Sequence, residues 1–138
     1  MKERVFVDTD LVLDVLAQRE PFYDHSAQLF SKAERGAVEL YVSALTFANA
    51  HYLLSKQYSA RQSRSMLLHF KTLVTVLSMS DKAVERALTS EFADFEDGLQ
   101  YFTAIEAGIS LLLTRNLKDY KPAEIAVMSA EQYIKSAS

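Results

Sequence analysis

The chain has 138 residues, of which 49 % are apolar, 24 % are charged and none is cysteine. That length suits one domain, since about 100–150 residues is the commonest domain size, and the missing cysteines exclude a disulfide scaffold, a thiol nucleophile and any zinc site built on sulfur. With 15 Lys+Arg against 18 Asp+Glu the formal net charge is −3, so contact with nucleic acid would need a local basic patch or a bound cation rather than bulk attraction.

The opening MKERVFVDTD is charged and lacks a signal peptide's apolar stretch. No window approaches the ~20 apolar residues of a membrane span. A single helix-rich cytoplasmic domain over residues 1–138, with no membrane segment, is expected. Residues 4–7 (RVFV) are β-branched and aromatic and run into Asp8, which predicts a short buried strand ending in a carboxylate. Leu11, Val12, Val15 and Leu16 follow at helical spacing, so a first helix is expected from about Asp10, broken at Arg19-Glu20-Pro21. Residues 22–36 read as a second helix that Gly36 stops. A second strand over 40–42 leads to a helix that Ser43 or Thr46 would cap, carrying Phe47, Ala50, Tyr52, Leu53 and Leu54.

Ser59 caps a further predicted helix with Met66, Leu67 and Phe70 on its apolar side, and 73–77 (LVTVL) is a third strand. Ser80 or Asp81 opens the next helix, and residues 94–108 form another that closes at Gly108. Residues 111–113 make a fourth strand ending at Thr114-Arg115-Asn116, 125–128 a fifth, and 130–135 a terminal helix. Apolar strands alternating with helices indicate an α/β fold with a parallel sheet covered on both faces. Such folds place their sites beyond the carboxyl ends of the strands. The stretches to inspect are therefore Asp8-Thr9-Asp10, Ser43 to Asn49 and Thr114-Arg115-Asn116, with Asp94 and Asp97 opening the helix before the fourth strand.

Carboxylates converging at partly desolvated strand ends repel one another unless a divalent cation joins them, and Mg²⁺ and Mn²⁺ take such hard oxygen ligands. Asp8, Asp97 and Asp94 fit that description, with Asn116 as a neutral ligand or water-positioner. Plainer roles compete for several of these acids. Asp10 reads first as a helix N-cap, Asp94 as another, and Asp14 as a solvated helix position. His25, His51 and His69 fall on three different predicted helices without ligand spacing. Lys56, Arg61, Arg64, Lys71, Arg115, Lys118 and Lys121 are the basic residues available for a phosphate-facing patch.

The segments VFVDTDLVLDVLAQREP, VSALTFANAHYLL, DFEDGLQYFTAIEAG and LLLTRNLKDY, in that order across nearly the whole chain, resemble the PIN domain. The likeness is to the small bacterial single-domain members such as the toxins of VapBC-type toxin–antitoxin pairs. The resemblance implies a three-layer α/β sandwich with a five-stranded parallel sheet flanked by helices. It also implies a Mg²⁺- or Mn²⁺-dependent ribonuclease, often a homodimer, with RNA as substrate and a cognate antitoxin protein as partner. By this resemblance Asp8, Asp94, Asp97 and Asn116 are the catalytic candidates, and the metal would be held by Asp8, Asp97, Asp94, Asn49 and Asn116; Asp119, three residues after Asn116, would add to them if the turn brings it in.

One departure stands out, because Asn49 occupies a position where members with nuclease activity usually carry Glu. An amide can coordinate through its carbonyl oxygen but brings no charge. A catalytically degenerate PIN scaffold that binds RNA or a protein without cleaving it is therefore the alternative reading. On the nuclease reading, Thr9, Thr114 or Arg115 would orient phosphate oxygens. A third reading, an aspartyl-phosphate enzyme of the haloacid-dehalogenase type, rests on Asp8-Thr9-Asp10-Leu11-Val12 and has only Lys118-Asp119 for its later motifs.

Overall fold

The structure is a computed structural model and describes residues 2–136. Five parallel strands are joined by helices: β1 (Glu3–Val7), α1 (Thr9–Leu16), α2 (Tyr23–Glu34), β2 (Val38–Ser43), α3 (Ala44–Gln57), α4 (Ala60–Lys71), β3 (Val74–Leu77), α5 (Asp81–Leu88), α6 (Phe95–Glu106), β4 (Leu111–Leu113), β5 (Ala126–Met128) and α7 (Ala130–Ser136). A 3₁₀ turn at Leu117–Tyr120, which the sequence pattern does not announce, links β4 to β5. Among the described residues no helix is long and apolar enough to cross a membrane.

The strand order is β3-β2-β1-β4-β5, with Val7 of β1 paired to Leu113 of β4. The chain winds outward from β1 to β3, then α5 and α6 carry it back to β4 on the other side of β1. The order thus reverses between β1 and β4, and a parallel sheet opens a crevice beyond the strand ends at such a point.

The central strands do not alternate because both their faces are covered: Val5, Phe6 and Val7 are each fully buried. Val5, Val7, Leu40, Val42, Leu111 and Leu113 pack against apolar residues of α1, α2, α3, α4 and α7. Phe6 and Leu112 point the other way, into a cluster with Tyr101 and Ala104 of α6 and with Tyr120. Ala83 and Ala87 of α5 meet Leu99 of α6 beside it. The result is the expected three-layer sandwich with helices on both sides of a five-stranded parallel sheet. Gly36 and Gly108 follow α2 and α6 with φ of 76° and 73°, the left-handed conformation that ends a helix without a Cβ penalty.

Two cap assignments are corrected. The first helix starts at Thr9, so its N-cap is Asp8, whose side chain accepts from the Thr9 N–H. Ser43 stands at the N-cap of α3 but makes no capping hydrogen bond with its side chain. Ser59, Ser80 and Asp94 do cap α4, α5 and α6.

Leu112 is fully buried and Leu68 is 70 % exposed. Leu112→Ala should cost about 2–5 kcal/mol in urea unfolding through lost burial and a cavity, whereas Leu68→Ala should change stability by less than about 0.5 kcal/mol.

Candidate functional site

At the reversal point the carboxyl end of β1 delivers Asp8 into a nearly closed environment, with 8 % of its surface exposed. Its backbone N–H still belongs to the sheet, donating to Leu113 O at 2.9 Å. Oδ1 accepts from the Thr9 N–H at 2.8 Å. Oδ2 accepts from Thr114 Oγ1 at 3.0 Å and from the Tyr120 hydroxyl at 3.1 Å. Burial raises the Asp8 pKa, and these three donors oppose that rise. Tyr120 is itself held protonated, by its own burial and by the neighbouring Asp8 charge, and so remains a donor.

Asp10, in the first turn of α1, borders the cleft rather than capping the helix. Its Oδ2 accepts from the Arg115 N–H at 3.1 Å and lies 3.4 Å from both Thr114 Oγ1 and Asn116 Nδ2. Its Oδ1 is buried with no hydrogen-bond partner. Burial, followed by the adjacent Asp8 charge, pushes Asp10 up to about 7.

From the opposite wall α6 presents its first turn. Asp94 Oδ1 accepts from the Asp97 N–H at 3.1 Å as the N-cap, so its capping role is real and coexists with its place in the cleft. Asp97 is half-buried; burial first, then the charges of Asp8, Asp94, Asp119 and Asp10, push it up to about 7. Asn49 on α3 donates from Nδ2 to Glu96 Oε1 at 2.8 Å. Together Asp8, Thr9, Asp10, Asn49, Asp94, Glu96, Asp97, Gln100 and Asn116 line one cleft of about 220 Å³. Every candidate ligand named from the sequence (Asp8, Asn49, Asp94, Asp97, Asn116) borders this cleft, and Asp119 does not line it. Two larger cavities, of about 410 and 390 Å³, bring none of these five residues together.

Beneath the cleft lies a polar floor that sequence reasoning missed. Gln100 is 2 % exposed, and Ser43 and Thr46 are fully buried. Ser43 Oγ donates to Gln100 Oε1 instead of capping α3. Gln100 Nε2 donates to Thr46 Oγ1 at 3.2 Å and Thr9 Oγ1 at 3.3 Å, and the two threonine hydroxyls are 2.9 Å apart. This network ties α1, α3 and α6 to the end of β2.

Asp14 also departs from expectation. It is fully buried rather than solvated, with Oδ2 3.0 Å from Arg115 Nε. Burial raises its pKa and Arg115 opposes the rise. The Arg115 guanidinium also lies over the Phe22 ring at 4.2 Å. The proposed phosphate-orienting residues therefore have other work: Thr9 belongs to the floor, Thr114 to Asp8 and Asp10, and the Arg115 side chain to Asp14. Among the described residues lining the cleft there is no lysine or arginine. His51 Nδ1 is engaged with Ser63 Oγ at 2.8 Å, and His25 lines a different cavity.

The donor set is hard oxygen throughout, which suits Mg²⁺ or Mn²⁺. Among the described residues no three His, Asp or Glu side chains are placed to hold one ion as a ready cage. Mg²⁺ is commonly bound by one or two carboxylates while keeping several waters. A buried carboxylate, an unpartnered Asp10 oxygen and two neighbouring amides fit that mode rather than an all-protein cage.

Comparison with known proteins places the fold. The sequence profile of the PIN domain matches residues 4–118. The chain is similar to Ribonuclease VapC1 of Aquifex aeolicus, at 26 % identity over 95 % of this chain and 93 % of that protein. In three dimensions it is similar to a toxin–antitoxin complex from Klebsiella pneumoniae (TM-score 0.68, 20 % identity, 91 % of this chain and 97 % of that one). It is equally similar to VapC20 of Mycobacterium tuberculosis, described as a sarcin-ricin loop cleaving toxin (TM-score 0.68, 14 % identity, 88 % and 98 %).

Two tests follow from the electrostatics. Asp10 and Asp97 hold their protons more tightly folded, at about 7, than at their ordinary value of 3.8. Their contribution to stability is complete below about pH 4 and is lost as pH climbs through about 7. In the metal-free protein Tm should fall over that window, and Asp10→Asn should flatten the fall; equal pH slopes for both proteins would refute the assignment. Arg115→Ala strands the buried Asp14 and should cost about 3 kcal/mol at neutral pH. Chemical unfolding should show that loss shrinking near pH 4, where Asp14 can take a proton.

Proposed function

Because the chain belongs to the PIN domain family, we propose that its acidic cleft is a divalent-metal-dependent ribonuclease centre hydrolysing RNA phosphodiesters. The observation that carries this reading is the convergence of Asp8, Asp10 and Asp97 in one cleft whose lining residues include no cation. Such a site disfavours phosphate until a cation reverses its local sign. The similarity to a VapC ribonuclease supports the substrate class.

Asp8 and Asp97 are the residues that would hold Mg²⁺ or Mn²⁺, with Asp94, Asn49 and Asn116 beside them. The bound ion would supply charge stabilisation at phosphoryl oxygens and a more acidic water. This chain's own residues do the rest. Thr114 and Tyr120 keep the Asp8 carboxylate fixed on its Oδ2 side, leaving Oδ1 shared with the Thr9 N–H. Asp10 Oδ1, buried and without a partner, is the atom available to take a proton or an additional ligand. Asn116 orients Asp10 through its amide. The three donors on Asp8 leave it poorly disposed as a phosphate nucleophile, which weighs against the aspartyl-phosphate reading.

As a VapC-like toxin, the protein would act as a homodimer held in check by a small antitoxin. Purified protein incubated with RNA and Mn²⁺ should cleave it, and a chelator should abolish cleavage. Asp8→Asn and Asp97→Asn should each lower the rate about a hundredfold or more, in line with about 3 kcal/mol of lost transition-state stabilisation. Cleavage that survives both substitutions would overturn the nuclease assignment. Mn²⁺ binding without cleavage of any RNA offered would favour the scaffold instead.

A further inference from the structure

We propose that Glu96 is a working carboxylate of this cleft, acting on the cation through its charge, and that Asn49 is the residue that positions it. The proposal rests on the metal-dependent reading above. An exposed glutamate in the first turn of a helix ordinarily sits in solvent and gains only a modest interaction with the helix dipole. Glu96 is different, because an amide from another helix, 47 positions earlier in the chain, grips one of its oxygens: Asn49 Nδ2 donates to Oε1 at 2.8 Å. Both residues line the same cleft as Asp8 and Asp97.

The amide at position 49 is matched to this neighbour. A carboxylate there would face Glu96 at hydrogen-bond distance and the two would repel. An amide instead donates, costs the cleft no charge and leaves Glu96 Oε2 free. Position 100, one turn along α6, is buried in the polar floor, so the face of α6 that carries Glu96 is fixed against α1 and α3 rather than left to swing. Since no three described acids form a ready cage, an ion here would retain water, and a nearby fixed charge acts on such a hydrated ion directly or through that water.

Calorimetric Mn²⁺ titration of the whole protein tests the assignment without relying on catalysis. Glu96→Gln keeps an acceptor for Asn49 and removes only the charge. It should weaken Mn²⁺ binding about tenfold while leaving the Tm of the metal-free protein within about 2 °C. Asn49→Ala should weaken binding about threefold by releasing Glu96, and should add no further loss in the Glu96→Gln background, since a residue that acts only through the Glu96 charge has nothing left to position there. Wild-type affinity in Glu96→Gln, alongside lost affinity in Asp97→Asn, overturns the role of Glu96 and leaves the ribonuclease reading standing. Weakened binding in Glu96→Gln with wild-type affinity in Asn49→Ala overturns the positioning role of Asn49. A wild-type protein that binds no Mn²⁺ at millimolar concentration overturns both readings together.

Discussion

A carboxylate buried at the end of the central strand is the constraint around which this end of the molecule is organised. Removing an ionised group from water is costly unless it is hydrogen-bonded or neutralised. Asp8 meets that condition with donors drawn from three places: the start of α1, the residue after β4, and the turn beyond it. Each donor fixes the element that carries it. The paired ends of β1 and β4, the entry of α1 and the position of Tyr120 all converge on one side chain.

The second layer of organisation lies below the acids. Buried Gln100, Ser43 and Thr46, with half-buried Thr9, form a set in which every named polar group finds a partner. Such networks specify a unique arrangement because a slipped alternative would leave buried donors unpaired. Its effect is to register α6 against α1 and α3, so that the acids at the start of α6 face those at the end of β1. The cleft thus rests on a rigid floor, while its own carboxylates remain mutually repulsive.

Much of the architecture was legible in the residues. The apolar run before Asp8, the helical spacing after it and the stops at Gly36 and Gly108 are local signals, and the elements they predict are present with small shifts in their ends. Asp8, Asp94, Asp97 and Asn116 could be gathered because parallel-sheet topology brings strand ends and helix starts to one edge, and Asn49 joined them through the likeness to the PIN domain. The remainder was hidden for a physical reason. Asp14 looked solvated because its partner Arg115 lies about a hundred positions away, and Tyr120 carries no local signal of its role because its hydroxyl acts outside its own segment. Asp10 and Asp8 exchanged capping roles because either carboxylate could have begun α1 on local grounds, and only the folded contacts with Thr114 and Arg115 separate them.

The stretch Thr114–Arg115–Asn116 serves three aspartates at once: Thr114 holds Asp8, the Arg115 and Asn116 nitrogens hold Asp10, and the Arg115 side chain pairs with Asp14. These positions are therefore not independent units of variation. Changes within the triplet and on the facing side of α1 should combine non-additively, with the effect of one depending on which of the others is already present. Sequence drift here is then confined to compensated steps. A substitution that looks conservative in isolation can be permissive in one background and disabling in another.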